Sequence, residues 1–311
     1  MTPHSLPSIA LGAWAWGNDG TFGDRYTAEA LKPVYEAALA QGLTLWDTAT
    51  VYGMGTSEQI LGQLIRDTPR EDLFLSTKFT PQIEDGTPQA MAHMLDGSLT
   101  SLGTDYIDLY WIHNPMDVEK YTPMLIPLAK SGKIRAIGVS NHNLAQLRRA
   151  EAILGEAGLA VSAVQNHFSL LNRSSETSGL LSYCQEKGIT FYAYMVLEQG
   201  ALSGRYDGAH PIPAGSDRAQ VYNPLLPRLE PLVRKLREVG QAHQASAAQV
   251  ATAWAIAKGT LPIIGVTKVN QVADAASAAA LTLTPQEIQS LEHLAQAAQV
   301  SVIRGWEQEM V

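Results

Sequence analysis

Apolar residues along the chain gather into short runs that recur at a steady interval. They are LGAWAWG (11–17), LTLWDTA (43–49), LFLSTKF (73–79), YIDLYWIH (106–113), IRAIGVS (134–140), VSAVQNH (161–167), ITFYAYM (189–195) and LPIIGV (261–266). The runs are nearly continuous rather than alternating, the pattern of strands covered on both faces, as in a parallel sheet. Between them lie segments of helical periodicity. In TAEALKPVYEAALAQG, Ala30, Leu31, Val34 and Ala38 fall on one face and Gly42 suits the stop. SEQILGQLIRD, MAHMLDGSLTSLG and AQLRRAEAILGEAG read the same way. Strand and helix alternating about eight times predict a (β/α)8 TIM barrel occupying 1–311 as one domain. A doubly wound sheet is the runner-up, but LGAWAWGNDGTFG lacks the G-x-G-x-x-G turn such sheets use.

One interval breaks the rhythm. The stretch between Met195 and Leu261 holds a Gly/Pro-rich segment, GRYDGAHPIPAGSDRAQ, and two helical patterns near 225–242 and 247–258. An insertion after strand 7 falls on the C-terminal face of a barrel, where ligands bind, so it predicts a lid. The final pattern, 285–298, predicts a capping helix with Thr284 as N-cap and Glu287 completing a capping box.

Composition narrows the function. Twenty-two Lys and Arg against 30 Asp and Glu leave a net charge of −8, which argues against a nucleic-acid partner or an anionic membrane surface. A hydrophobic share of 46% with 17% charged residues is that of a folded chain. The lone cysteine, Cys184, leaves no internal disulfide or Cys-based zinc cage and reads as packing. The N-terminus lacks a basic segment followed by an apolar run, and no window resembles a membrane span, so the expected location is cytoplasmic.

Polar residues interrupt the apolar runs at a telling place. Asp47 ends the second, Lys78 the third and His113 the fourth, and Tyr52 follows the second. All would project at the C-terminal rim of neighbouring strands and converge on one cavity. At this point the sequence resembles the aldo-keto reductase family of (β/α)8 barrels. GLTLWDTATVYGMGTSEQILG is similar to that family's first signature, with Gly42, Asp47, Tyr52, Gly53, Glu58 and Gly62 in place. The likeness continues through LSTKF, YIDLYWIHNP, IRAIGVSN, VQNHFSLL, FYAYMVLEQGALSG and LPIIGVTK, from about Leu11 to Ala280.

The resemblance implies an NADP(H)-dependent oxidoreductase acting on an aldehyde or ketone, with NAD(H) the less favoured cofactor. The chemistry agrees. Carbonyl reduction needs a proton at oxygen, and a free tyrosine, with pKa ~10, holds its proton too tightly. An ammonium ~4 Å away at effective dielectric ~20 favours the phenolate by about 4 kcal/mol, or ~3 pKa units. Lys78 is the candidate ammonium, Asp47 would keep it charged and aimed, and His113 would orient the carbonyl oxygen. A structural ion pair between Asp47 and Lys78 is the plainer alternative.

For the cofactor, Ser140, Asn141 and Gln165 would hold the carboxamide, while Tyr194 stacks on the ring. The resemblance adds Ala13 and Trp14 at the first strand end, and Met195, Leu197, Gln199, Gly200 and Leu202 along the pyrophosphate. Gly265, Val266, Thr267 and Lys268 lead into a helix whose N-terminus favours phosphate, with Lys268 suited to a 2′-phosphate. Gln271 and Asp274 stand further along that helix, where the family often carries a basic residue and an Asp/Glu-Asn pair. Arg205 and Arg218 read first as solvated loop charges, with contact to the phosphates on closure of the long loop as the alternative. Trp14, Trp16, Trp111 and Tyr222 are candidate aromatic walls for the substrate, Trp14 and Trp111 the best placed, and Trp306 could cross the mouth.

Three other readings compete. His113, His142 and His167 near successive strand ends suggest a metal hydrolase, but no H-x-H or H-E-x-x-H supports it, and no resident metal is expected. Lys78 as a Schiff-base nucleophile would need a depressed pKa, which Asp47 opposes. Some relatives of the family keep fold and cofactor as non-catalytic redox-sensing subunits. The expected partner is a small carbonyl or alcohol substrate, for a monomer or small homo-oligomer.

Overall fold

In a computed structural model, which describes residues 7–23, 25–308 and 310, the eight runs form a closed barrel of parallel strands in sequence order. The reading of the extreme N-terminus falls partly on residues 1–6, which lie outside the described residues. The strands are β1 (Ala10–Gly12), β2 (Leu45–Asp47), β3 (Phe74–Phe79), β4 (Ile107–Ile112), β5 (Ile134–Ser140), β6 (Ala163–His167), β7 (Thr190–Tyr194) and β8 (Leu261–Gly265). Helices α1 (Ala28–Ala40), α2 (Thr56–Ile65), α3 (Ala90–Leu102), α4 (Val118–Tyr121), α5 (Leu125–Lys130), α6 (Leu144–Glu156), α7 (Ser174–Thr177) and α8 (Leu180–Lys187) fill the connections as far as β7. The long interval carries α9 (Asp217–Tyr222), α10 (Leu226–Ala242) and α11 (Ala247–Ala257). The chain closes with α12 (Val269–Ala278) and α13 (Pro285–Ala297), the latter begun by the expected Thr284–Glu287 capping box. No helix among the described residues is long and apolar enough to cross a membrane.

The first run departs from expectation. Only Ala10–Gly12 is strand; Trp14–Gly17 turns into a 3-10 helix. The Trp16 indole donates to the Val266 carbonyl at 2.8 Å, and the Ser57 hydroxyl donates to the Ala13 carbonyl at 2.7 Å. These bonds bend the chain out of the sheet and lift Trp14 to the mouth.

Strand side chains alternate between the barrel interior and the helix layer. Outward positions meet the helices in one continuous apolar cluster, while Ala10, Leu45, Leu109, Trp111, Ala163, Tyr192 and Leu261 fill the interior. Two residues further along the same strands stand Asp47, His113, Gln165 and Tyr194, so the inward alternation of period two carries the polar groups onto the top layer. Trp111 is wholly buried in this interior, edge-to-face with Tyr192 at 5.2 Å, and is not at the mouth. Its indole takes the space of an absent side chain: a Cβ on Gly138 would lie 2.1 Å from Trp111 Cε3. Trp111 is therefore a packing residue, which corrects its assignment to the substrate wall. Gly138→Ala should destabilise the barrel by about 3 kcal/mol, because backbone and indole cannot share that volume. Urea denaturation followed by tryptophan fluorescence measures it; an unchanged midpoint would contradict this packing.

Candidate active site

Lys78 is a buried charge, with a side chain wholly shielded from solvent. Its ammonium donates to Asp47 Oδ1 at 2.5 Å and to the Thr48 carbonyl at 2.7 Å, and lies 3.4 Å from the Tyr52 hydroxyl. Ser76 Oγ and Gln165 Nε2 donate to the other Asp47 oxygen at 2.5 and 3.1 Å. A buried cation needs such a partner set, since desolvation alone penalises its charge. Burial does push the Lys78 ammonium below its usual range, while Asp47 and then Glu58 oppose the drop. Behind the strand, Glu58 accepts from Thr77 at 2.6 Å; burial raises its acid, and hydrogen bonds from Thr77 and Ser98 and the charge of Lys78 oppose that rise.

Tyr52 is positioned by backbone contact. A Cβ on Gly53, at φ +60°, would sit 1.8 Å from the Gly17 carbonyl oxygen, so its loop and the 3-10 turn touch main chain to main chain. Trp14 stacks on Tyr52 at 5.8 Å, and the His113 ring meets it edge-on at 5.9 Å. Burial first, then the Asp47 and Asp19 carboxylates, raise the Tyr52 hydroxyl well above its ordinary pKa. The proximity of Lys78 alone predicts the opposite. Burial of the phenol outweighs any help from the ammonium, and the Asp47 carboxylate held on Lys78 adds to the rise. Tyr52 thus keeps its proton. Burial and the Lys78 charge hold His113 well below the usual imidazole range, hence neutral. Its Nδ1 lies 3.0 Å from Thr80 Oγ1, a partner the sequence reading missed although Thr80 follows Lys78 by two on the same side of the chain.

Beside these groups runs a cavity of about 1020 Å³, at the upper end for small-molecule sites. Asp47, Tyr52 and His113 line it together with Trp14, Ser140, Asn141, Gln165 and Tyr194. Ser140 and Gln165 are register partners, and Ser140 Oγ donates to the Gln165 carbonyl at 2.7 Å. Met195, Leu197, Gln199, Gly200, Gly265, Thr267, Lys268, Gln271 and Asp274 line the far half. Ala13, Leu202 and Val266 do not: all three are wholly buried, their side chains spent on packing. Gln271 caps α12, its Oε1 accepting from the backbone N–H of Thr267 at 2.7 Å and of Lys268 at 2.9 Å.

Three polar atoms along this wall, Gln199 Nε2, Ser216 Oγ and Arg218 Nε, are buried without a hydrogen-bond partner among the described residues. Arg218 is held there by its Nη1, which donates to the Gln199 carbonyl at 3.1 Å. Buried unpaired donors are costly, and three on residues that line one cavity fit a wall completed by a ligand rich in acceptor oxygens, such as a pyrophosphate. The residues present therefore fit a dinucleotide.

Tyr222 is a second correction. It is wholly buried in an apolar cluster joining the insertion to Ala298 and Val302, and its hydroxyl donates to Glu198 Oε2 at 2.6 Å. Trp306 instead supplies an aromatic wall, edge-on to Trp14 at 5.9 Å. The three rim histidines go separate ways. His142 Nδ1 meets the Ser140 carbonyl at 2.8 Å, and His167 lies between Glu198 and Glu307 at 2.8 and 2.9 Å. Among the described residues no group of three or more His, Cys, Asp or Glu is arranged to hold a metal ion.

The Aldo/keto reductase family model matches residues 8–296. The chain is 31% identical to the chloroplastic pyridoxal reductase of Arabidopsis thaliana, over 98% of this chain and 87% of that protein. It is 30% identical to the NADP(+) aldo-keto reductase yakc of Schizosaccharomyces pombe, over 95% and 90%. Among solved structures, the glycerol dehydrogenase of Gluconobacter oxydans superposes with TM-score 0.83 at 25% identity, over 97% of this chain and 95% of that one. An aldo-keto reductase from Klebsiella pneumoniae in complex with NADPH gives TM-score 0.72 at 26% identity, over 93% and 91%.

The His167 cluster generates a stability prediction. Burial would lower its pKa, but Glu198 and then Glu307 push it up to about 10. An unfolded histidine titrates near ~6.5, so the pair's contribution is whole below that pH and drains away as pH rises towards the folded value. Guanidinium denaturation at mildly acid and at alkaline pH should show a loss of stability that His167→Asn largely lacks. Equal losses in both proteins would contradict it.

Proposed function

The chain belongs to the aldo/keto reductase family, and we propose that it reduces an aldehyde or ketone to the alcohol with NADP(H), Tyr52 delivering the proton. The bound cofactor supplies a hydride to the carbonyl carbon. Everything else falls to this chain's own residues. The observation that carries the reading is that Asp47, Lys78, Tyr52 and His113 meet at one rim of the cavity whose other wall is lined by Gln199, Ser216 and Arg218, each with a buried polar atom lacking a partner among the described residues.

Tyr52 keeps its proton at neutral pH and faces the cavity, as a general acid must. Lys78, at 3.4 Å, stabilises the negative charge that develops on the phenol oxygen as the proton leaves, and Asp47 keeps that ammonium charged. Neutral His113 needs one tautomer: with the Thr80 hydroxyl donating to Nδ1, its Nε2–H is free to donate to the substrate oxygen. Ser140, Asn141 and Gln165 offer neutral polar groups for a carboxamide, and Tyr194 offers a ring face. Lys268 is exposed beside the start of α12, lies on the cavity and has no ion pair among the described residues, which favours a 2′-phosphate and hence NADPH over NADH. Trp14, Phe22 and Trp306 form an aromatic corner over Tyr52, suited to an apolar or aromatic carbonyl.

Oxidation of NADPH followed by absorbance over a panel of aldehydes and ketones tests the reading. Tyr52→Phe should lower turnover by about 10³-fold while the Kd for NADPH stays within about twofold, with NADPH binding more tightly than NADH. Undiminished turnover in the variant would remove Tyr52 from the role, and dinucleotide binding without turnover of any carbonyl would favour a sensor. Thr80→Val should lower kcat by about tenfold with KM little changed, and Thr80→Ser should restore it, as expected for a residue that sets the His113 tautomer. Equal rates for both variants would rule this out.

A further inference from the structure

Beyond α13 the chain returns over the C-terminal end of the barrel and is tied down by polar contacts. Arg228 Nη2 donates to the Gln299 carbonyl at 2.6 Å, and Gln308 Nε2 donates to the Asn141 carbonyl at 2.9 Å. The firmest tie is Glu307, whose carboxylate is nearly dry. Its Oε2 lies 2.9 Å from His167 Nδ1, and its Oε1 accepts from the Tyr194 hydroxyl at 3.0 Å. On its other side His167 meets Glu198 Oε1 at 2.8 Å, and Glu198 is itself gripped by the hydroxyls of Ser169 and Tyr222. The Tyr194 ring stacks on His167 at 5.6 Å. A buried imidazolium between carboxylates therefore anchors the tail directly behind Tyr194.

The Tyr194 hydroxyl has one proton and two acceptors. Besides Glu307 it faces Asn141 Oδ1 at 2.6 Å. Asn141 is also fixed from its other end, Nδ2 donating to the His113 carbonyl at 3.0 Å, so its Oδ1 is the amide group left to receive a ligand. While Tyr194 donates to Asn141, one of the two acceptor positions of that oxygen is taken; when Tyr194 donates to Glu307, both are open to a ligand.

We propose that Glu307 is a positioning residue for the nicotinamide ring: it takes the Tyr194 hydroxyl, releases Asn141 Oδ1 for the carboxamide, and so couples docking of the C-terminal tail to occupation of the cofactor pocket. The inference rests on the functional reading above and adds to it a residue outside the barrel strands. Coupling is reciprocal, so the bound dinucleotide also fastens the tail. Two features make the effect specific to the nicotinamide end. Glu307 bonds Tyr194 directly and reaches the wall of unpaired donors only through Arg304, whose N–H it accepts at 3.1 Å and whose Nη1 donates to Gln199 Oε1 at 3.3 Å. Glu307→Gln keeps the side-chain shape while removing the charge that competes with Asn141 for the proton.

The test is a double-mutant cycle read by two ligands: NADPH, and 2′-phospho-ADP-ribose, which is NADPH without its nicotinamide. Wild type, Glu307→Gln, Tyr194→Phe and the double variant are compared by calorimetry. Glu307→Gln should weaken NADPH about tenfold, the scale of one charge-assisted hydrogen bond, and leave 2′-phospho-ADP-ribose unchanged. The double variant should bind NADPH no more weakly than Tyr194→Phe alone. Tryptic cleavage after Arg304 should slow when NADPH binds wild type, and less so in Glu307→Gln. Wild-type affinity of Glu307→Gln for NADPH would overturn the proposal. So would equal weakening of both ligands, which marks mere undocking of the tail, or additive effects in the double variant. Failure of the wild type to bind either ligand is a different result: it overturns the functional reading first and this inference with it.

Discussion

A wholly dry ammonium can exist in a protein only if its charge is met on the spot, and Lys78 sets that requirement at the top of this barrel. Asp47 answers it, and Asp47 in turn needs donors for its second oxygen, which Ser76 and Gln165 supply. The ion pair thus draws together strands β2, β3 and β6. Tyr52 sits at the edge of this network, near enough to feel the cation and kept neutral by burial and by the neighbouring carboxylates. The resting site holds a tyrosine with its proton and a counter-charge waiting beneath it, which suits proton donation more than proton abstraction.

The barrel was legible because its strands are covered on both faces and helices α1, α6, α11 and α13 begin at Thr, Asn or Ser caps. The β5 run, Ile134–Ser140, is found residue for residue, and the long interval after β7 does hold the two helices its periodicity indicated. The polar rim was legible for a related reason: a charge closing an otherwise apolar strand has to face either a site or a partner. What escaped was decided by register. Trp111 lies two residues before His113 and so points into the barrel as surely as His113 does, but one layer lower, where Gly138 leaves it room. Tyr222 was assigned to the mouth because it lies in the insertion, yet a helix that packs on the chain's end has an inner face, and Tyr222 is on it.

Contacts between distant stretches left no trace in any local pattern. Nothing in VSAVQNH indicates that His167 will be clasped by Glu198 from the next connection and Glu307 from the tail, some 140 residues on. The three unpaired donors were half visible: Gln199 stands in the stretch expected along a pyrophosphate and Arg218 among the charges weighed for phosphate contact, but their burial without partners follows only from the folded chain. The sign of the Tyr52 shift belongs here too. The nearest cation does not set the sign when it already has a closer carboxylate partner and the phenol is largely desolvated.

The contact between Gly17 and Gly53 has a bearing on how such a site can change. The loop that bears Tyr52, the proposed proton donor, is indexed by main chain against main chain, with no side chain in between. Gly53 is fixed by that contact, but exposed positions of the loop such as Met54 can be exchanged without shifting the phenol. An architecture of this kind separates the fixed geometry of proton transfer from the variable surroundings that choose a ligand, so a lineage can retool one while the other stays locked in its steric notch.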